Sequence, residues 1–544
     1  MKREKTALVG ILLIAFAIRL ASLLTFDFID SGGGTDTYTY LSLARNLFTG
    51  QGFTEFGKPQ VIHPPLYPVL IGIFWRISGD LLLGGQLVSF LAGVFLVLSG
   101  YLLARDLFGP RAGLCAAALI AVCPVLVYGS VETYAESLYA FVLLSALAVF
   151  RRTQKTGGAP GLLAAGFLLG LAFLTHPSGL LFLPVVWSLH VLRQFFPGRP
   201  SAPRFFAGLV LLPLGFALAA LPFWIFIHQA TGRWALSGSS HFADATYKIY
   251  QARGVPTGRV VFECMEELYQ GIPPSEPTGL TMTELMLRRP RDFLSIVRFN
   301  LADGWQEVVK SARFLGVPSG ALFALLGAGA ALLLAAFLLL WRRRADRLSV
   351  LFLAALFLPA AGLVLVTMEH RYFYPFVPLF LVGLAAFLAD REEAVRGGRW
   401  GTAAFRILAG LLFLALLAGS AGVVRRKAAK AGIPYEFKEL GVWMREKIPG
   451  IEKERVMMTR LAPAYYSGCD WNVFYWGDYR GLLGYLKERG IRYLIIDDWK
   501  IGLVHPELQF LLSADPPPEE FARAKECVFD GRKVRLLRLV RAGE

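Results

Sequence analysis

The stretch Thr6–Gly50, "TALVGILLIAFAIRLASLLTFDFIDSGGGTDTYTYLSLARNLFTG", decides how the rest of the chain is read. Its first part, Thr6–Phe26, carries one charge, Arg19, and as a helix is long enough to cross a hydrocarbon core of roughly 30 Å. The run is too long for a signal peptide and no small-residue cleavage site ends it, so it is read as a membrane span. Three glycines and two aspartates follow. Leu41, Ala44, Leu47 and Phe48 then recur at helical spacing, with Thr35 or Asp36 placed as the N-cap and Gly50 as the stop. This predicts an amphipathic helix on the membrane surface, with a carboxylate at its start.

The same alternation of apolar block and polar connection continues along all 544 residues, 55% of them hydrophobic and 18% charged. The mean hydropathy is +0.51. The fold class expected is a polytopic α-helical membrane protein. Eleven spans are read: Thr6–Phe26, Leu81–Ala104, Ala112–Tyr128, Thr133–Phe150, Pro160–Leu174, Pro177–Val191, Phe205–His228, Pro318–Trp341, Leu348–Thr367, Tyr372–Ala389 and Thr402–Val424. The net charge of +16 does not call for nucleic acid, because the basic residues cluster in short connections between apolar blocks. "MKREK", Arg105 with Arg111, "RRTQK", Arg193–Arg204, "RRRADR" and "DREEAVRGGR" fall on one side, which the positive-inside rule makes cytoplasmic. "RRK" at Arg425–Lys427 is the one cluster that disagrees. The N-terminus is then inside and the C-terminus outside.

Three regions face out on this reading: the loops 27–80 and 229–317, and a C-terminal domain, 428–544, beyond a membrane domain of 1–427. In the second loop "DFLSIVRFNLADGWQEVVKSARFL" turns amphipathic, as a lid or interfacial helix would. In the C-terminal domain "RVMMT" and "IRYLIID" read as strands, "YRGLLGYLKERG" as a helix and "KECVFDGRKVRLLRLV" as a hairpin turned at Asp530–Gly531. A small extracytoplasmic α/β domain is expected, without a glycine-rich phosphate loop. The five cysteines show no metal-ligand spacing, and a disulfide between Cys469 and Cys527 is left open.

The ionisable residues that flank or enter the apolar blocks all map to the outer side: Asp36, His63, Glu132, Glu136, His176, Glu369, His370 and Arg371. Such groups are costly at a bilayer and mark a site by default. Each also has a plainer reading. Asp36 is a cap or a base. His63, in "VIHPPLYPVL", belongs to a stiff turn re-entering the membrane or touches a ligand. Glu132 and Glu136, four apart, share one helix face, where Glu132 alone would compensate a helix dipole. His176, in "THPSG", breaks a helix or joins the site. Glu369, His370 and Arg371 precede Tyr372 and Tyr374 as an interfacial anchor, or Arg371 grips a phosphate. Arg19 forms an inner pair or meets a carboxylate or lipid phosphate.

"DTYTYLSLARNLFTGQGF", "HPPLYPVLIGIF", "CPVLVYGSVETYAESLYAF", "GFLLGLAFLTHPSGLLFLP" and "HRYFYPFVPLF" resemble, in order and spacing, the GT-C superfamily of polyprenyl-phosphate-sugar-dependent membrane glycosyltransferases. The similarity is to the branch of protein O-mannosyltransferases and bacterial lipid A aminoarabinose transferases. It implies a catalytic acid in the first outer loop, matched by Asp36, and a second at the outer start of a later span, matched by Glu136. It implies basic residues on the polyprenyl phosphate, with Arg371 the match and His370, Arg45 and Lys58 as lesser candidates. His63, Glu132, His176 and Glu369 are then substrate-binding candidates. Thr37 stands where many relatives carry a second acid, and His176 where relatives often carry Arg. The resemblance also implies the inner membrane of a prokaryote, a polyprenyl-phosphate sugar donor, and a lipid, glycan or protein acceptor. The chemistry needs a carboxylate base for the acceptor hydroxyl, and preorganised cations or a bound divalent metal ion for the departing phosphate. The residues leave open which of the two serves. A lipid-linked-sugar transporter would need polar groups through the midplane, often on paired broken helices. A non-catalytic scaffold would leave Asp36 and Glu136 unexplained.

Overall fold

The computed structural model of the chain describes residues 2–25, 35–196, 199–236, 249–263, 282–314, 347–362, 370–395, 410–422, 435–498 and 501–540, apart from positions 56, 233, 251, 257, 261, 361, 412 and 530. In chain order come α1 (Lys2–Thr25), α2 (Thr35–Phe48), the short strands β1 (Thr54–Glu55) and β2 (Lys58–Pro59), and α3 (Leu66–Ser78). Next are α4 (Leu81–Phe108), α5 (Pro110–Ala121), α6 (Pro124–Gly129), α7 (Glu136–Thr156), α8 (Ala159–Thr175), α9 (Phe182–Leu192) and α10 (Ala202–Thr231). Then follow α11 (Met282–Arg288), α12 (Pro290–Phe314), α13 (Arg347–Ala355) and α14 (Phe376–Val395). The last segment holds α15 (Tyr435–Lys447), β3 (Arg455–Met458), α16 (Ala462–Ser467), β4 (Asp470–Val473), α17 (Tyr479–Glu488), β5 (Tyr493–Asp497), β6 (Phe521–Phe529) and β7 (Arg532–Leu539). Two compact units result. One comprises Met1–Asp27, Val61–Gly238 and Asn300–Ala429; the other comprises Phe28–Gln60, Ser239–Phe299 and Lys430–Glu544.

The first unit is helical. Among the described residues α1, α4 and α10 are long and apolar enough to cross a membrane, and shorter apolar helices accompany them. Sequence punctuation sets their ends. Asp80 caps α4 by accepting the Leu83 N–H at 3.0 Å. Proline opens α5, α6, α8 and α10 at positions where no N–H is needed. Along α10, Phe206, Val210, Leu214, Leu218, Leu221 and Ile225 are exposed, while Leu212, Phe216, Phe223 and Ile227 on the other face are buried. A long exposed apolar stripe opposite a packed one is what a helix facing lipid requires. Pro213 and Pro222 lie inside α10, which a membrane helix tolerates.

Small residues bring α8 and α10 together. A Cβ on Gly166 would sit 2.1 Å from the Leu212 carbonyl oxygen, and one on Gly215 would sit 2.2 Å from that of Leu163. Backbones in such contact gain dispersion and leave no room for a side chain. Gly166→Leu is therefore expected to lower stability by about 1–3 kcal/mol or more through overpacking. Gly10→Leu, where nothing lies within 4 Å, should leave thermal unfolding in detergent unchanged.

Three expectations change here. Residues 66–78, which begin inside the segment 61–70 read as a re-entering turn and run past it, form a helix that the eleven spans omit; it starts directly after Pro64–Pro65 and accommodates Pro68 in its first turn. Glu132 and Glu136 do not share a helix face, because residues 130–135 form a turn and α7 begins at Glu136. Arg19, read as half of an inner pair or as meeting a carboxylate or lipid phosphate, takes backbone partners: fully buried, it donates to the carbonyls of Ala121 at 2.9 Å and Ile120 at 3.3 Å, the C-terminal end of α5. A cation there offsets the helix dipole and satisfies carbonyls the helix leaves over. The span read at Pro318–Trp341 lies outside the described residues.

The second unit is built on a five-stranded sheet of order β4-β3-β5-β7-β6. β3 pairs in parallel with β4 and β5, and β7 antiparallel with β5 and β6. The hairpin read at 530–531 is present, with Phe529 opposite Arg532 and Gly531 at φ 75°. Alternation puts Val456, Met458, Ile495 and Leu536 into one core with Phe437, Leu440 and Met444 of α15. Met457, Leu494, Ile496 and Leu537 face a second core with Leu482 and Leu486 of α17. Tyr38 of α2 is part of the first core, its ring 5.3 Å from that of Tyr465. Cys469 and Cys527 are buried, free thiols rather than a disulfide, and burial pushes both up to about 12.

Candidate active site

Three of the ionisable side chains singled out by sequence, Glu136, His176 and Arg371, lie where α7 begins and α8 ends. Glu136 is the first residue of α7, where the helix dipole favours a carboxylate. Its Oε1 lies 4.0 Å from Arg371 Nε, an ion-pair distance too long for a hydrogen bond. Glu136 is nearly buried, with side-chain exposure of 10%, and Arg371 retains 27%. Arg371 belongs to the 3₁₀ turn His370–Phe373 just ahead of α14. Its guanidinium lies 5.7 Å from the Tyr134 ring centre and 5.5 Å from that of Tyr372. Aromatic faces hold a guanidinium plane in orientation.

His176 closes α8 and caps the following 3₁₀ turn, Pro177–Leu181. Its Nδ1 accepts the Ser178 N–H at 3.2 Å and lies 2.7 Å from Ser178 Oγ. The ring stacks on Tyr139 at 5.2 Å and meets the edge of Tyr372 at 4.8 Å. Ser178 Oγ donates to the Tyr139 hydroxyl at 3.0 Å. His176 thus ends the helix and caps the turn after it, and its ring reaches Tyr372, the aromatic that Arg371 lies against.

The turn bearing Arg371 is tied down by Tyr374. Its hydroxyl is 3.0 Å from Ser137 Oγ and donates to the Leu126 carbonyl at 3.2 Å. Gly129 makes room for this ring, since a Cβ there would stand 2.5 Å from it. Tyr374 therefore connects α6, the start of α7 and the 371–374 turn. Tyr67 of α3 donates to or accepts from Ser89 Oγ at 2.9 Å, within electrostatic reach of both Glu132 and Glu136.

Of the residues singled out by sequence, the structure brings together Glu136, Arg371 and His176. Glu132 is buried in the turn before α7, and His63 is half-buried just before α3. His370 opens the 3₁₀ turn, and Glu369 lies outside the described residues. Asp36, Arg45 and Lys58 fall in the second unit. Asp36 is half-buried in the first turn of α2, and Lys58 is exposed on β2. Arg45 lines a cleft of about 360 Å³ with Asn46, Gln51, Glu55, Glu452, Tyr465 and Asp470. Sequence reading missed the scaffold of Tyr134, Tyr139, Ser178 and Ser137; the only signal was the concentration of tyrosines beside Glu136 and Arg371. Among the described residues no group of three or more His, Cys, Asp or Glu side chains is placed to hold a metal ion.

Residues 62–222 match the family model described as dolichyl-phosphate-mannose-protein mannosyltransferase. That segment contains His63, Glu132, Glu136 and His176. No curated protein sequence matches the chain. The fold is similar to that of the oligosaccharyltransferase of Archaeoglobus fulgidus in the apo form, with a TM-score of 0.61 and 18% identity over 91% of this chain and 69% of that one. The same archaeal enzyme, AglB, in complex with an inhibitory peptide and a dolichol-phosphate matches at a TM-score of 0.58 and 18% identity, again over 91% and 69%. ArnT from Cupriavidus metallidurans in the apo state matches more loosely, at 0.49 and 13% identity over 98% of each chain. The matched segment and the helical fold together bear out the resemblance of this chain to the GT-C glycosyltransferases.

Proposed function

We propose that the protein transfers a sugar from a polyprenyl-phosphate donor to an acceptor on the extracytoplasmic face of the membrane, by a single inverting displacement. The observation that carries this reading is the Glu136–Arg371 pair, with the guanidinium between two tyrosine rings at one end of the helical unit. A cation held in that way suits an oxygen of a phosphate whose charge grows as it departs. Asp36 is the base. It takes the proton of the acceptor hydroxyl while the hydroxyl oxygen bonds to the anomeric carbon and the bond to the phosphate oxygen breaks. Polyprenyl phosphate leaves with the electron pair. Glu136 orients Arg371 and supports the acceptor or the base. His370, Arg45 and Lys58 are assigned secondary roles on the donor, and His63, Glu132, His176 and Glu369 on the substrates. The outer domain, 428–544, recognises the acceptor, and α12 serves as the lid or interfacial helix.

The test is to incubate the purified protein with a panel of polyprenyl-phosphate sugars and hydroxyl acceptors and to follow released polyprenyl phosphate. Release that depends on acceptor supports the proposal. Movement of intact donor across vesicles without release would instead identify a transporter, and neither outcome would leave a scaffold.

Tyr374 provides a subtler check, as a positioning residue. Tyr374→Phe removes the hydroxyl that joins Ser137 and the Leu126 carbonyl but keeps the ring. With the two hydrogen bonds of this buried hydroxyl lost, kcat is expected to fall about tenfold while the fold is retained. A role in packing alone would leave kcat unchanged and shift only thermal unfolding.

A further inference from the structure

The opposite end of the α7–α8 hairpin holds a second concentration of charge. The 21 residues of α7 carry the chain from Glu136 to Thr156, about 30 Å at 1.5 Å per residue. There a cavity of about 150 Å³ is lined by Lys155, Ala159, His190, Arg193, Arg199 and Arg204, among others. Among the described residues lining it there is no carboxylate. Asp106, which acts on Lys155, is already engaged by Arg152 at 3.3 Å and Arg105 at 3.7 Å. Four cations converge on one small space from α7, the turn after α9 and the stretch leading into α10.

The local backbone favours this convergence. Gly157, at φ +79°, ends α7, and the Arg204 guanidinium lies across it, 2.6 Å from where a Cβ would stand. His190 Nε2 is 3.0 Å from the Phe205 carbonyl and joins α9 to α10. The first turn of α8 also borders the cavity, and its N-cap, Gly158, offers no side-chain cap. Uncapped N–H groups and surrounding cations both favour an anion with several acceptor oxygens. Within two positions of the lining residues Arg193 and Arg204, Leu192, Phe195 and Phe206 are large, apolar and exposed, Phe195 at 79%. An acyl chain would cover them, whereas a soluble anion would not.

We propose that this cavity binds a phosphate group, that of an anionic lipid headgroup, at the membrane face remote from Glu136. The basic clusters of the sequence assign that face to the cytoplasm. The proposal rests on the cavity, its cations and the apolar residues beside them, and its binding test does not depend on the transferase reading.

Full-length protein in detergent, titrated with phosphatidylglycerol and with phosphatidylcholine and read by native mass spectrometry, tests it. Phosphatidylglycerol is expected to be retained selectively. The triple variant Arg193→Gln, Arg199→Gln, Arg204→Gln should bind it at least about tenfold more weakly, as expected when three cations near a headgroup are lost. The triple variant Lys2→Gln, Arg3→Gln, Lys5→Gln removes the same charge on the same side away from the cavity and should retain binding. Arg204→Gln alone, at an exposed position, should show an intermediate loss and guards against misfolding of the triple variant. Inorganic phosphate that competes with the lipid would identify a soluble phosphate as an equal ligand; failure to compete confirms the headgroup. Absence of phosphate or lipid binding, or equal weakening in both triple variants, overturns the proposal, because general surface attraction would then account for everything.

Discussion

Replacing Arg371 with alanine is expected to lower the rate of sugar transfer about 10²–10³-fold, the cost of removing one preorganised donor to developing charge. The loss should fall on kcat, because the phosphate carries more charge as it leaves than in the bound donor. Arg371→Lys should recover only part of the rate. An ammonium keeps the charge but lacks the planar fork that stacks against Tyr134 and Tyr372. A simpler role is separable from this one. If Arg371 served only to neutralise Glu136, the double variant Arg371→Leu with Glu136→Gln would regain activity, since no uncompensated carboxylate is left. If Arg371 holds the phosphate, the double variant stays as slow as Arg371→Leu. Recovery of polyprenyl phosphate release in the double variant would sink the phosphate assignment.

Asp36→Asn is the second large effect, with transfer expected to fall about 10²–10⁴-fold through loss of the general base. This substitution also distinguishes base from cap. Asparagine serves at a helix N-terminus nearly as well as aspartate. What it loses there is the charge–dipole term, about 0.3–1 kcal/mol. Asp36 lies in the first turn of α2, and the neighbouring Tyr38 is anchored in the core of the second unit. The variant should therefore be folded and express normally, with thermal unfolding nearly unchanged and transfer almost gone. Full activity in a folded Asp36→Asn protein would leave Asp36 as a helix-terminus residue and move the search for a base to Glu136.

Much of the architecture was legible because its causes are local. The strands β3 and β5 were read from the short apolar runs "RVMMT" and "IRYLIID", and the β6–β7 hairpin from the Asp530–Gly531 turn; both signals act within a few residues. Helix α3 was hidden by Pro64, Pro65 and Pro68, which read as a turn although each precedes or lies within the first helical turn, where no amide donor is required. Glu132 and Glu136 were spaced for one helix face, but a turn separates them, since spacing says nothing about where a helix starts. The glycines of α8 were visible as "GFLLG", yet their role depends on which backbone approaches them.

The sequence by itself determined that this is a helical membrane protein with an α/β C-terminal segment, because hydropathy, charge and strand alternation are summed over short windows. It also pointed to the acids and bases worth attention, since ionisable groups beside apolar blocks are costly wherever the chain goes. Only the tertiary structure decided which of them meet. Tyr374 joins Ser137 across 237 positions and Leu126 across 248, and this fastening sets Arg371 beside Glu136. Arg19 likewise became a cap for α5, and His176 a cap for the turn after α8. Such pairings depend on which helices pack and at what depth, and packing is set by shape complementarity over whole helices rather than by any local pattern.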